Sequence, residues 1–413
     1  MVTRQMKQFS ERKSKLALGI ALAAFIAGAS VTSPAEARPF FAKKKESEDR
    51  GGLVYVMTND DTANKVMVYW RDKSGEISKM PYATVRTGGI GASSNAPVDP
   101  LGSQGSLVYS EDHNMLFGVN AGDNTVFAFK AGTVGARAVR SRLLRPKQTA
   151  LVESGGNIPV SVAVSGDLLY VLNAGGTGVI STFEIDKNGD LTQISAIELG
   201  LNNATEVPFN NVFAPGQVGV DALSRRLIVA NAQGQELLTT PLDNDGIPSN
   251  ELTSTPTTGV VPFSFDITPF GNILVTEAGS GAVSVFESPV GHPLVQTVES
   301  VANGQAATCW IVVTDNGYAY VSNTVSDTIS LYGYERSGEL SLIDATAATV
   351  SPGGAPTDMI LANDGSFLYT LDAGTGEISS FEVDPSTGEL SLIEVETGLP
   401  AAQGIQGIAA RDF

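Results

Sequence analysis

One short pattern recurs seven times along this 413-residue chain and constrains its fold more than any other feature. It is an alternating apolar run closed by an amide or an acid, and it ends at Asn59, Asn120, Asn173, Asn231, Glu277, Asn323 and Asp372. The intervals between those closing residues are 61, 53, 58, 46, 46 and 49. A turn rich in Gly, Asn, Asp or Ser follows each run. Next comes a second run that ends on an aromatic in six units (Tyr69, Phe129, Phe183, Phe286, Tyr332 and Phe381), with Thr240 as the exception. A Gly-bearing hairpin closes the pair, clearest at Gly75, Gly189, Gly338 and Gly388. Period-2 runs separated by such turns read as short antiparallel strands. About four strands per unit is the size of a propeller blade.

A second count gives the same number. Units open with an innermost strand near Gln104, Pro159, Gln217, Pro262, Thr308 and Pro356. A seventh such strand starts at Gln406, at the C-terminus, and the unit that begins at residue 53 lacks one. The expectation is an all-β, seven-bladed β-propeller over 53–413 whose C-terminal strand completes the N-terminal blade. Closing the ring pairs sheet edges that would otherwise invite aggregation. A closed ring gives no reason for obligate assembly, so a monomer is expected.

The N-terminus reads as an export signal. Arg4, Lys7, Arg12, Lys13 and Lys15 precede an uncharged apolar stretch over 16–29, and Ala35-Glu36-Ala37 supplies small residues around a cleavage point. About 14 apolar residues are too few to span a bilayer comfortably, so 1–37 is expected to be a cleaved signal peptide and 38–52 a charged linker. Removing 1–37 leaves 21 basic against 42 acidic residues, counted from the totals of 26 and 44. The expected mature chain is exported, periplasmic or extracellular, acidic, and without a membrane span. Its charge argues against nucleic acid as a partner. One cysteine and two histidines argue against a thiolate cluster or a His-rich metal centre, and no cofactor is implied.

Several stretches give the chain a resemblance. They are Asp99-Pro-Leu-Gly-Ser-Gln-Gly105, Gly155-Gly-Asn-Ile-Pro-Val-Ser161, Pro262-Phe-Ser-Phe265, Gln305-Ala-Ala-Thr-Cys-Trp310, Pro356-Thr-Asp358 and the recurring Tyr-Val-x-Asn strands. Together they resemble the secreted branch of the seven-bladed propeller lactonase superfamily, whose relatives include propeller-type 6-phosphogluconolactonases and fungal carboxy-muconate lactonizing enzymes. The resemblance implies a lactone-related activity, in the carboxylic ester hydrolase class, on a small molecule. Because the fold hosts unrelated functions, a non-catalytic propeller holding a ligand or a cell-envelope protein stands as the alternative.

Propeller topology sorts the candidate residues. Turns between the second and third strands of a blade, and connections between blades, share one face with the channel mouth. His113 and His292 fall in turns of the opposite face, which leaves no imidazole base for a Ser-His-Asp or Cys-His mechanism there. Cys309 is level with Ser161, Ser264 and Asp358, a crowded position that suits an inert buried thiol. Acids and amides remain. Asn at strand ends usually bonds back to local backbone, but Glu277 and Asp372 break the pattern and Asp358 opens an innermost strand. These three are the candidate catalytic acids. Gln104, Asn173, Gln217, Gln305, Trp310 and Gln406 are the candidate substrate-binding donors.

A phosphorylated substrate would want basic groups, and only Arg86 and Arg411 lie near. Asp243-Asn-Asp-Gly246 reads as a hairpin turn and not as a calcium loop, since it lacks the later Glu. Arg137, Arg140, Arg142, Arg145 and Lys147 form a basic insertion, either solvated or facing an anionic partner. The Gly/Ser/Pro-rich connection 87–103 reads as either a lid or a surface loop.

Overall fold

A computed structural model describes residues 50–132 and 145–413. The expected signal peptide, most of the expected linker, and Arg137, Arg140 and Arg142 of the basic insertion lie outside the described residues. Among the described residues, 28 strands form seven four-stranded antiparallel sheets. The first blade is built from both ends of the chain, in the order β28 (Ile408–Asp412), β1 (Arg50–Met57), β2 (Lys65–Asp72) and β3 (Ala83–Arg86). In the ladder that closes the ring, Gly52 to Val56 pair with Asp412 to Ile408.

β1 begins three residues before the alternating pattern does. Gly52 pairs with Arg71 on one side and Asp412 on the other. The absence of a side chain there lets Arg71 fold across the strand, donate to the Gly51 carbonyl at 2.8 Å and pair with Asp412. Any Cβ at residue 52 would strike that guanidinium and the Arg411 carbonyl.

The other innermost strands are β4 (Leu107–Ser110), β8 (Pro159–Ser165), β12 (Pro215–Asp221), β16 (Pro262–Ile267), β20 (Thr308–Val313) and β24 (Pro356–Ala362). Each pairs with the strand that follows it in sequence. The second strands are β5 (Met115–Asn120), β9 (Leu168–Asn173), β13 (Arg226–Asn231), β17 (Ile273–Glu277), β21 (Tyr318–Asn323) and β25 (Phe367–Asp372). They are buried almost throughout, being covered on both faces by neighbouring blades, and so read as near-continuous apolar runs.

One device fixes the spacing between blades three times over. A fully buried tyrosine of a second strand donates to the glycine carbonyl of the next blade's hairpin: Tyr170 to Gly246 at 2.7 Å, Tyr320 to Gly388 at 2.8 Å and Tyr369 to Gly75 at 2.8 Å. Those three glycines have φ between 75° and 88°, which a side chain would strain. The last contact joins blade seven to blade one, so the seam is held by the same means as an ordinary blade boundary. Burying a tyrosine ring contributes mostly through area, and its hydroxyl needs the carbonyl once water is gone.

Candidate functional site

The ring of residues that close the second strands holds the blades to their connections. Asn59 donates to the Gly404 carbonyl at 3.1 Å and accepts the Ala92 amide at 2.9 Å. Asn323 donates to Thr328 and Ser330 and accepts from Asn303 and Thr308. Asn173 spends its amide on the Ser154 and Val179 carbonyls. Glu277, fully buried, accepts the Gly259 amide at 3.2 Å and the Ser300 hydroxyl. Asp372 accepts Thr370 at 2.9 Å and Ser379 at 2.6 Å, and burial pushes its carboxyl up to about 7. The polar atoms of these side chains are spent on neighbouring strands and connections.

The connection between blades one and two enters the channel itself. Leu101, Gly102 and Ser103 are buried there. The Ser103 carbonyl accepts the Trp310 indole at 2.9 Å and the Gln406 amide at 2.8 Å. Gln406 also takes the Leu101 amide at 3.1 Å. Gln104 reaches the far wall, donating to the Ile311 carbonyl at 2.9 Å and accepting the Ile311 amide at 3.0 Å, while its own backbone amide bonds Gly216. A second long connection clasps the first from outside. The Phe209 amide bonds the Asn95 side chain at 2.7 Å, and the Asn211 side chain bonds the Asp99 carbonyl. Segment 87–106 thus closes the mouth of the channel on the face of the blade connections.

Beneath it the channel is open. Innermost strands are buried over their first halves and partly exposed beyond them, as in β8 and β16 and at Ile360 and Leu361 of β24. Water therefore reaches the axis from the ends of these strands, the face of the turns between first and second strands. The space is a cavity of about 330 Å³ to which all seven innermost strands contribute. Its wall is mostly apolar, with Val162, Val218, Val312 and Met359 among its residues, and it carries two carboxylates, Asp266 and Asp358.

Each acid bridges to the following blade. Asp266 accepts the Ile267 amide at 2.8 Å and the Val313 amide at 2.9 Å. Asp358, at φ 103°, accepts the Met359 amide at 3.0 Å and the Ile408 amide at 3.3 Å. Burial raises both carboxyls despite those amides: Asp266 to about 6, and Asp358 to about 8 with a further push from the nearby Asp99 charge. Asp99, on the inserted segment, is itself pushed up to about 7 by burial. Gln217 completes the polar set. Its Oε1 holds the Phe265 amide at 2.8 Å, and its Nε2 finds no protein acceptor among the described residues.

The fold therefore gathers Gln104, Gln217 and Asp358 in one cavity, with Trp310 and Gln406 in the roof above them. It does not bring Glu277, Asp372, Asn173 or Gln305 there; Gln305 bonds Thr328 and Thr346 away from the axis. Asp266 was missed by sequence reasoning. The signal was a carboxylate directly after Pro262-Phe-Ser-Phe265, where an innermost strand ought to continue apolar. Cys309 is buried under the roof, and burial raises its thiol strongly. His113 bonds the Gly166 carbonyl and His292 is exposed; neither lines the cavity. Arg86 is exposed on the outer strand β3. Arg411 spends its guanidinium on the Ala131 and Gly132 carbonyls. Asp243 accepts the Asp245 and Ile247 amides, as a hairpin does.

A larger groove of about 600 Å³ lies between blades three and four. Its principal polar groups are already paired, Tyr170 with Gly246 and Arg225 with Asn244. The axial cavity holds the desolvated acids and is the better candidate. Among the described residues no group of three or more His, Cys, Asp or Glu is placed to hold a metal, and no helix is long and apolar enough to cross a membrane.

Fold and cavity together define a closed seven-bladed propeller with an axial, acid-bearing pocket. Residues 54–405 match the family model described as "Lactonase, 7-bladed beta-propeller", and the chain belongs to that family. Among solved structures it is similar to a putative 6-phosphogluconolactonase from Bacteroides fragilis, with 17% identity and a TM-score of 0.67 over 88% of this chain and 98% of that one. It is equally similar to the periplasmic gluconolactonase of Pseudomonas aeruginosa, with 15% identity and a TM-score of 0.67 over 87% and 98%. At such identities the likeness is one of fold. Comparison with curated protein sequences gave no match.

Proposed function

We propose that the protein is an exported lactone hydrolase acting on a small, unphosphorylated lactone in the axial cavity. Family membership supports the reaction class, and the signal-like N-terminus supports export. The observation that carries the site is the pair of carboxylates in one cavity, Asp358 buried and Asp266 half-buried, the one raised to about 8 and the other to about 6. Acids whose surroundings push their proton affinities apart suit complementary roles. At neutral pH Asp266 is ionised and takes a proton from the attacking water. Asp358 is protonated and gives its proton to the ring oxygen as the acyl C–O bond breaks. The Gln217 amide offers a donor to the carbonyl oxygen on which negative charge develops. The products are a hydroxy acid and, through solvent, the original proton distribution. In this reading Glu277 and Asp372 serve the architecture.

The test is a panel of simple unphosphorylated lactones with purified residues 38–413. Turnover by the native protein, with Asp266→Asn and Asp358→Asn each slower by about 10² or more and Glu277→Gln close to native, would support the reading. Native-like rates for both aspartate variants would end it. A second reading has one observation in its favour: both acids already accept two backbone amides. If the cavity is only a binding site, panel members bind without being hydrolysed. Export is tested separately, since mature protein from the native host should begin near residue 38.

A further inference from the structure

The axial cavity has one open end, and its charge has one sign. Segment 87–106 is not held like a lid. Its tip is bonded to three separate parts of the ring: Trp310 on β20, Gln406 just before β28, and Gly216 on β12. Gln104 adds a two-way amide pairing with Ile311. Withdrawing the tip would leave the Trp310 indole N–H, the Gln406 side-chain amide and the Gly216 carbonyl without these partners in a dry roof, each at about 1–3 kcal/mol. The opposite end shows a gradient of exposure. Val160, Ser161 and Ser264 are fully buried near the roof, while Ala163, Asp266, Ile360 and Ala410 are partly open to water.

Among the described residues nothing basic lines the space, and Asp266 and Asp358 are its only acids, Asp266 being the one ionised at neutral pH. Arg411, the nearest guanidinium by strand position, is turned away to the Ala131 and Gly132 carbonyls. An apolar wall around an unpaired carboxylate focuses its field and repels anions.

We propose that segment 87–106 is a fixed plug, that ligands reach the cavity only from the face of the first-to-second-strand turns, and that the cavity admits neutral or cationic molecules and rejects anions. The proposal rests on the axial cavity being the ligand site and not on turnover, so its test uses neither a lactone nor a rate of hydrolysis. The acceptable lactones are then uncharged ones. Carboxylated lactones are excluded along with phosphorylated ones.

The buried Cys309 makes the measurement clean. In the native full-length protein, thiol reagents should leave it unmodified. A Val312→Cys variant adds a thiol to the cavity wall, to be labelled by a pair of methanethiosulfonates of similar size, one trimethylammonium and one sulfonate. Each rate is divided by that reagent's rate with a free small thiol. The expected result is faster labelling by the cation, by about tenfold or more, and loss of that preference when Asp266→Asn is added. Adding Ala410→Trp at the open lip should slow both reagents about tenfold or more, whereas Ser94→Trp on the exposed part of the plug should change neither. Equal or anion-favoured labelling overturns the charge selection. Slowing by Ser94→Trp in place of Ala410→Trp overturns the route, and so does failure of a folded Val312→Cys protein to label. If that variant does not fold, Ala163→Cys reads the same cavity from another blade. Failure of the lactone panel with success here would remove the chemistry and keep the pocket.

Discussion

Replacing Asp358 by Asn should change stability by an amount that is near zero at pH 5 and grows in favour of Asn as pH rises. In the fold its carboxyl is raised from an ordinary 3.8 to about 8, chiefly by burial. The folded protein therefore holds a proton that the unfolded chain releases, and stability must fall as pH rises between those two values. Each pH unit in that window costs about 1.4 kcal/mol. Against a fully protonated reference, the native aspartate costs about 2 kcal/mol at pH 5 and about 4 kcal/mol at pH 7. Asparagine carries no such cost. Its oxygen can keep the Met359 amide, but its NH₂ then faces the Ile408 N–H, and that unsatisfied amide costs about 1–3 kcal/mol. The two effects roughly cancel at pH 5, and Asn should be the more stable by about 1–3 kcal/mol at pH 7. The check is urea denaturation of both proteins from pH 5 to 8, with midpoints compared at a common slope. The difference should grow with pH by about 1.4 kcal/mol per unit. A difference that stays flat across this range would mean that Asp358 is ionised in the fold, and the argument from burial would collapse.

Three further outcomes follow from the packing. Trp310→Phe removes one of the two donors to the Ser103 carbonyl and opens space beside Phe263, whose ring centroid lies 4.7 Å away. Thermal unfolding should show a loss of about 2–3 kcal/mol, and in the native protein acrylamide should quench Trp70 while sparing Trp310. Ending the chain at Gly407 deletes the strand that closes the ring, together with the buried Ile408 and Ala409. The cost of at least about 5 kcal/mol in packing and ladder bonds should lower the melting temperature by about 10 °C or more, with soluble oligomers visible in size-exclusion chromatography. At Gly259 a Cβ would land on the Glu277 carboxylate. Gly259→Ala should therefore destabilise by about 2–3 kcal/mol, and the Glu277→Ala background should recover most of that loss in a double-mutant cycle.

How much of this was legible follows from sequence distance. The blade count, the antiparallel pairing and the closure by the last strand were readable, since each rests on period-2 runs and on turn residues only a few positions apart. The unmatched seventh innermost strand at the C-terminus told where the ring closes. The boundary at Arg50 was not readable, because Gly51 and Gly52 belong to β1 only by virtue of Arg71 and Asp412 on its two sides. The choice between lid and surface loop for 87–103 was also beyond a linear reading. Its answer lies in bonds from Ser103 to residues 207 and 303 positions away.

Among candidate residues, chemistry was easier to read than direction. Glu277 and Asp372 stood out because they replace asparagine at a repeated position, yet at that position their oxygens are taken by nearby hydroxyls and an amide. Asp358 and Asp266 gain their altered proton affinity from burial at an axis where strands of all seven blades meet, and Asp358 also from Asp99 on the inserted segment, which no local window contains. The sequence by itself determined the architecture, because alternation and turns act within a few residues and their repetition leaves one way to close. Only the tertiary structure decided which end of the channel is shut and which acids face its space, because both depend on distant strands meeting at one axis.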